Sequence, residues 1–276
     1  MVDDRHDRSG ERRPRPASGG VPRRGPQRKR DVPWSGPGRA RPVQPRSAPS
    51  EVTRESRDGP AIPPGVDAKQ LAPEIRRELS TLDRATADAV ARHLVAAGEL
   101  LDEDPEAALN HARAARARSG RLAVVREAVG IAAYRCGDWA QALAELRAAR
   151  RMGSRSPLLA LIADCERGLG RPLRAIELAR GPEASLLSGD DADELRIVAA
   201  GARADLGQLE QALTVLSTPQ LDPARTGSTA ARLFYAYAET LLALGRRDEA
   251  LRWFLRAADA DLEGVTDAED RVAELG

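Results

Sequence analysis

The chain of 276 residues contains two cysteines, three histidines and very few aromatic side chains, 3% of the total. Cys136 and Cys165 are too few for a disulfide framework, which small secreted domains build from several bridges. Both sit in apolar helical patterns and read as buried, reduced thiols. The histidines, His6, His93 and His111, are scattered, and no Cys/His spacing matches a zinc site. Long apolar runs are missing too. The longest, Leu158–Ala163, falls far short of the roughly 20 residues that span a bilayer. The first residues are charged and lack the apolar segment of a secretory signal, so the expectation is a cytoplasmic protein without membrane contact. A Gly-rich phosphate loop, a nucleophile elbow and paired metal ligands are also missing. The expected protein is therefore not an enzyme: it has no catalytic residues, no cofactor and no metal.

Lysine is scarce as well, 2 against 41 arginines. That bias weakens one inference. Arginine ordinarily hints at bidentate recognition of phosphate or carboxylate, but here nearly every basic position is arginine, so the choice says little. The distribution of charge says more. Residues 1–65 carry 15 basic and 8 acidic side chains, a net of +7; the rest carry 28 and 34, a net of −6, and the two recover the overall +1.

The basic part also holds 12 of the 19 prolines and 8 glycines. Its apolar residues are few and aperiodic, so it cannot bury enough surface to offset its ordering entropy. Residues 1–66 are expected to be a disordered tail, and residues 67–276 the folded domain. The tail's densest basic run contains Arg23, Arg24, Arg28, Lys29 and Arg30, followed by its only aromatic, Trp34. Such a tail can link or solubilise, bind a protein, or contact nucleic acid through phosphates. With only Trp34 for stacking, it lacks the aromatic set of single-strand binders.

Beyond Val66, Ala, Leu, Arg and Glu dominate at helical spacing. Pro73 suits a first helical turn. Ile75, Leu79 and Leu82, then Val90, Leu94, Ala97 and Leu101, form apolar stripes. Asp83 is placed to cap a second helix, unless the two run on as one. The decisive feature is an internal repeat. An Ala-Leu or Ala-Ile pair recurs at Ala108, Ala142, Ala175, Ala212 and Ala250, at intervals of 34, 33, 37 and 38 residues. In the last four copies a glycine stands five residues earlier, at Gly137, Gly170, Gly207 and Gly245; in the first, Asp104-Pro105 supplies the turn. Pro182 and Pro219 occupy equivalent places, and proline in a helix interior costs about 3 kcal/mol. Both second helices should stop early there, leaving longer loops over 181–191 and 218–228. The acidic run Asp190, Asp191, Asp193, Glu194 reads as a loop and helix start, where acids suit the dipole, with a cation site as the alternative. Thr266 and Glu269 match a capping box, and Val265, Ala268, Val272 and Leu275 suggest a helix covering the last repeat.

This pattern resembles the tetratricopeptide repeat family, whose unit is a 34-residue helix-turn-helix with small residues at the close contact. The best copy spans 124–153, with Gly130 in the first helix, Gly137-Asp138-Trp139 at the turn, and Ala142, Leu146 and Ala149 along the second helix. The resemblance covers roughly residues 85–260. The family's Trp and Leu of the first helix are mostly replaced and its closing Pro is missing, which leaves related helical repeats open. It implies an all-α, right-handed superhelical solenoid of about five hairpins, with an extra N-terminal helix and a C-terminal capping helix.

The resemblance also implies a concave surface lined by the first helices. The matching positions are His93, Glu127, Tyr134, Arg135, Asp164, Arg167, Glu194, Asp205, Arg232, Tyr235 and Glu239. With His93 neutral these sum to −2, three positive against five negative, and Tyr134 and Tyr235 are expected to offer ring faces to a cation. The family's basic clamp for a terminal carboxylate is absent: its places hold His93, Ala97, Glu127, Ile131, Ala160 and Asp164. The expected function is a protein-protein scaffold that binds a protein or peptide segment, with the chain's own basic tail as one possible occupant. The alternative is a nucleic-acid- or ribosome-associated adaptor anchored by that tail.

Overall fold

The computed structural model describes residues 59–217 and 221–276. The basic tail residues Arg23, Arg24, Arg28, Lys29, Arg30 and Trp34 lie outside the described residues, as do the expected disorder of the tail and Pro219. Among the described residues the protein is all-helical, with twelve α-helices and no strand. They are α1 (Pro73–Leu79), α2 (Arg84–Glu99), α3 (Pro105–Arg118), α4 (Ala123–Arg135), α5 (Trp139–Arg151), α6 (Leu159–Gly168), α7 (Pro172–Ala179), α8 (Gly189–Asp205), α9 (Leu209–Ser217), α10 (Ser228–Ala243), α11 (Arg247–Ala260) and α12 (Ala268–Leu275).

The helix starts follow local chemistry. Pro73 and Pro105 occupy first-turn positions, where a missing N–H costs nothing. Asp83 separates α1 from α2: its carboxylate accepts the Thr86 N–H at 3.0 Å. Asp104 caps α3 through the Ala107 N–H (3.0 Å), and Asp138 caps α5 through that of Gln141 (3.1 Å). Each such cap is worth about 1 kcal/mol. At Gly137, Gly170, Gly207 and Gly245 the backbone enters the left-handed region, with φ between +71° and +77°, a conformation that L side chains resist. The chain turns there between the two helices of each hairpin.

Consecutive helices pair as α2/α3, α4/α5, α6/α7, α8/α9 and α10/α11, and the second helix of each pair also packs on the first helix of the next. First helices touch one another at α2–α4, α6–α8 and α8–α10. The core is strung along the chain in successive clusters, from Leu79, Val90 and Val125 near one end to Phe234 and Phe254 near the other. Ala108, Ala142, Ala175, Ala212 and Ala250 are all fully buried, at 0% exposure. In the best copy, a Cβ on Gly130 would stand only 2.7 Å from the Leu146 side chain, so α4 and α5 approach as closely as that sequence allows.

The helices α7 and α9 stop after eight and nine residues, where α3, α5 and α11 run for 13 or 14. Pro182 follows α7 after Arg180 and Gly181. The loop after α7 is shorter than expected, because Ala184–Leu186 forms a 3-10 turn and α8 already begins at Gly189. Two other expectations need correction. The capping box at Thr266 and Glu269 does not form: the Thr266 N–H and hydroxyl both bond to Asp261 (2.7 Å each), and Asp267 precedes α12 without a side-chain cap. A capping box forms instead at Asp67 and Gln70. Val265 is exposed, whereas Val272 and Leu275 of α12 do pack on the Ala250–Phe254 cluster. Ile62 and Val66 pack against Val95 and Ala96, so ordered contacts reach upstream of residue 67.

The close approach at the buried alanines has a measurable consequence. Ala142→Leu should destabilise the protein by about 1–3 kcal/mol through overpacking, while Ala140→Leu, on the exposed side of the same helix, should stay within roughly 0.5 kcal/mol. Chemical denaturation of the two variants checks this.

Candidate protein-binding face

The residues expected to line a shared surface come from first helices and recur at helical spacing: Glu127 and Tyr134 on α4, Asp164 and Arg167 on α6, Glu194 and Asp205 on α8, and Arg232, Tyr235 and Glu239 on α10. Residues three, four, seven or eleven apart share a helix face. The structure links these stripes by polar bonds from one helix to the next. The Tyr134 hydroxyl donates to Asp164 at 2.6 Å. Arg167 donates to Asp164 (2.7 Å) and, through Nε and Nη2, to both oxygens of Asp205 (2.8 and 3.3 Å). One connected network therefore runs from α4 through α6 to α8. Glu194 pairs with Arg232 between α8 and α10, and Glu239 with Arg271 of α12 at 2.8 Å. Glu127 accepts from Ser154 (2.8 Å) and Ser156 (2.6 Å) in the α5–α6 connection. Arg135 reaches back to Asp102, in the α2–α3 turn, at 2.7 Å.

These bonds change what the face offers. Both tyrosines, expected to offer ring faces to a cation, each make an edge-on contact with a neighbouring aromatic ring. Tyr134 packs edge-on against Trp139 and Tyr235 against Phe254, with centroids 5.2 and 5.3 Å apart. Burial first, and then the nearby acceptor carboxylate of Asp164 or Asp267, holds both phenols well above their usual range. The hydrogen bond to Asp205 is the largest of the influences that raise Arg167. The side chains left reachable are mainly Arg135, Asp205 and Arg232, which are exposed, and the outer edges of the others. The groups thus act first as ties between hairpins.

His93 does not belong to this surface. It is only 2% exposed and lies 3.0 Å, Nδ1 to Nδ1, from the equally buried His111. That contact needs one neutral ring to donate and the other to accept. Burial, reinforced by Arg118, His111 and Arg92, pushes His93 down to about 4, and burial lowers His111 as well.

Several buried acids escaped the sequence reading. Glu145 is held by Arg116 and by Arg126 at 2.9 Å. Glu166 is held by Arg147 at 2.5 Å and Arg171 at 3.5 Å, and Asp193 by Arg196 and Arg225. Asp190 also bonds to Arg225, at 3.0 Å, so three of the four acids in the run 190–194 are spent on arginines. Gly201 was missed too: a Cβ there would stand 2.8 Å from the Arg167 guanidinium carbon, so glycine clears the path to Asp205. A helical glycine far from any turn was the available signal.

Among the described residues no group of three or more His, Cys, Asp or Glu side chains is placed to hold a metal ion, and no helix is long and apolar enough to cross a membrane. Cys165 is fully buried and its thiol is pushed up to about 12, chiefly by burial. Cys136 is half-buried and raised for the same main reason. Neither thiol has the lowered pKa of a reactive cysteine. No protein-family model matches the chain, and no curated protein matches it.

The histidine pair predicts a pH dependence. Its folded-state pKa lies below the unfolded value of 6.5, so the neutral pair's contribution is complete above pH 6.5 and is lost as pH falls from 6.5 towards 4. For His93 the loss amounts to about 3 kcal/mol at the acid end. Denaturation curves of the wild type and His93→Gln should converge over that interval; parallel pH profiles would contradict the assignment.

Proposed function

We propose that the chain is a non-catalytic scaffold: a tetratricopeptide-like array of five helical hairpins, coiled as a right-handed superhelical solenoid, that binds a protein or peptide segment on the face formed by α2, α4, α6, α8 and α10. The observation that carries this reading is the polar ribbon from Tyr134 through Asp164 and Arg167 to Asp205. It sets side chains of three successive first helices at one surface. The contacts α2–α4, α6–α8 and α8–α10 support the same placement, since a curved array brings its first helices together on the inner side.

The ribbon is pre-ordered. Its arginines are already aligned by carboxylates, so a partner that exchanges one ion pair for another loses little side-chain freedom on binding. The face has an excess of carboxylate, which favours an occupant that carries Arg or Lys. The basic N-terminal tail has that chemistry, and a tether can give it a millimolar effective concentration. It therefore acts as a second contact or a competitor for the face. The alternative reading, anchoring to nucleic acid or the ribosome, rests on the net +7 of residues 1–65.

Site-specific photo-crosslinking separates them. A benzophenone side chain at Arg135 or Arg232, in the full-length protein in its own cells, should trap a protein partner; the same group at Arg174 on α7 should not. The crosslinks should survive nuclease treatment and deletion of residues 1–58. Crosslinking only from the tail, abolished by nuclease, would replace the scaffold reading with the anchoring one.

A further inference from the structure

A cavity of about 560 Å³ opens against α8, beside the early end of α7 and Val215 of α9, a size typical of small-molecule sites. Its floor is one face of α8, where Ala192, Arg196, Ala199 and Arg203 follow at intervals of four, three and four residues. Ile176, Ala179 and Val215, from the ends of α7 and α9, form apolar walls. The second helices α3, α5 and α11 run for 13 or 14 residues, against eight for α7. The opening follows in part from the sequence: α7 ends at Ala179, shortly before Pro182.

The charge of this lining runs against that of the helical body. Arg180, Arg196, Arg203 and Arg225 all line the cavity, with Asp193 as the lining's carboxylate. Asp193 is buried and is shared by Arg196 and Arg225; Asp190 reaches Arg225 from the rim. Four positive charges against these two negative ones leave an excess of two, in a body whose net charge over residues 66–276 is −6. Among the described residues no carboxylate pairs with Arg180 or Arg203; Arg203 bonds only to the Gln208 amide oxygen, at 3.0 Å. Burial and the neighbouring Arg225 lower Arg196.

We propose that this cavity is a binding site for a small amphipathic anion, with an apolar chain or ring between α7 and α9 over α8 and an anionic head taken by Arg180 and Arg203. Guanidinium groups grip carboxylate and phosphate alike through paired N–H donors. The site is separate from the first-helix face and stands whether or not that face binds protein.

The test uses the full-length protein and calorimetric titration with decanoate, decyl phosphate, decylammonium, acetate and inorganic phosphate, each below its micelle concentration. Decanoate or decyl phosphate should bind saturably, and the tighter of the two identifies the head as carboxylate or phosphate. Decylammonium, acetate and inorganic phosphate should bind at least tenfold more weakly. Arg180→Gln and Arg203→Gln should each weaken the preferred anion about tenfold, roughly the worth of one charge-assisted hydrogen bond. Ala199→Trp should fill the cavity and abolish binding. Arg180 is exposed, so its variant should melt as the wild type does and keeps the test valid if Ala199→Trp fails to fold. Absence of saturable binding by both decyl anions up to about 1 mM, a standard free energy near −4 kcal/mol, would overturn the proposal. So would equal binding of decylammonium, or affinity unchanged in Arg180→Gln and Arg203→Gln.

Discussion

Close helix approach at a small, fully buried residue is the constraint on which the rest of the structure depends. Ala108, Ala142, Ala175, Ala212 and Ala250 occupy the same place in five hairpins, each with no exposed surface. An alanine buries little area by itself. Its value is that the facing helix can come near enough for Leu146, Leu216, Phe254 and their counterparts to lose all contact with water. Dispersion and apolar burial both grow as that gap closes. The left-handed glycines turn the chain back at the distance this approach requires.

A second constraint operates between hairpins, and it is electrostatic. Glu145, Glu166 and Asp193 are nearly inaccessible to solvent, yet each meets two arginines. Burying a carboxylate is costly, and the cost is offset only when its oxygens are satisfied. Removing either arginine would leave a partly uncompensated buried charge. These clusters therefore fix which hairpin neighbours which, a form of specificity that alanine packing cannot supply. The Tyr134–Asp164–Arg167–Asp205 network does the same on the first-helix side. In the cavity against α8 the pattern tilts the other way, because Asp193 serves two arginines while Arg180 and Arg203 also line the space.

The features that repeat were legible in the sequence. Five Ala-Leu or Ala-Ile pairs, four glycines at fixed offset and the capping residues Asp83 and Asp104 act through local backbone geometry or through spacing along one helix. Pro182 marked the early end of α7 for the same reason. What depends on rotamers and on neighbours distant in sequence was not legible. His93 falls on a position that a repeat register assigns to the surface, but its ring turns inward to His111, eighteen residues on. Tyr134 and Tyr235 lie on α4 and α10, yet the Tyr134 hydroxyl is committed to Asp164, and burial, chiefly, raises Tyr235. Thr266 has the right spacing to Glu269 for a capping box, but Asp261 offers it a nearer carboxylate. The excess of arginine hid the buried acid clusters, because in such a chain an arginine near any acid is expected by composition alone.

The account's central claim is that stability passes from hairpin to hairpin through neighbours, as in a stacked array, and not through one shared core. Hydrogen exchange read by mass spectrometry on Phe254→Ala tests it directly. Phe254 is fully buried in α11, and its truncation should cost about 3–5 kcal/mol. The account predicts that amides of α10, α11 and α12 lose protection while those of α2 to α5 keep theirs. Equal loss of protection along the whole helical region would contradict it.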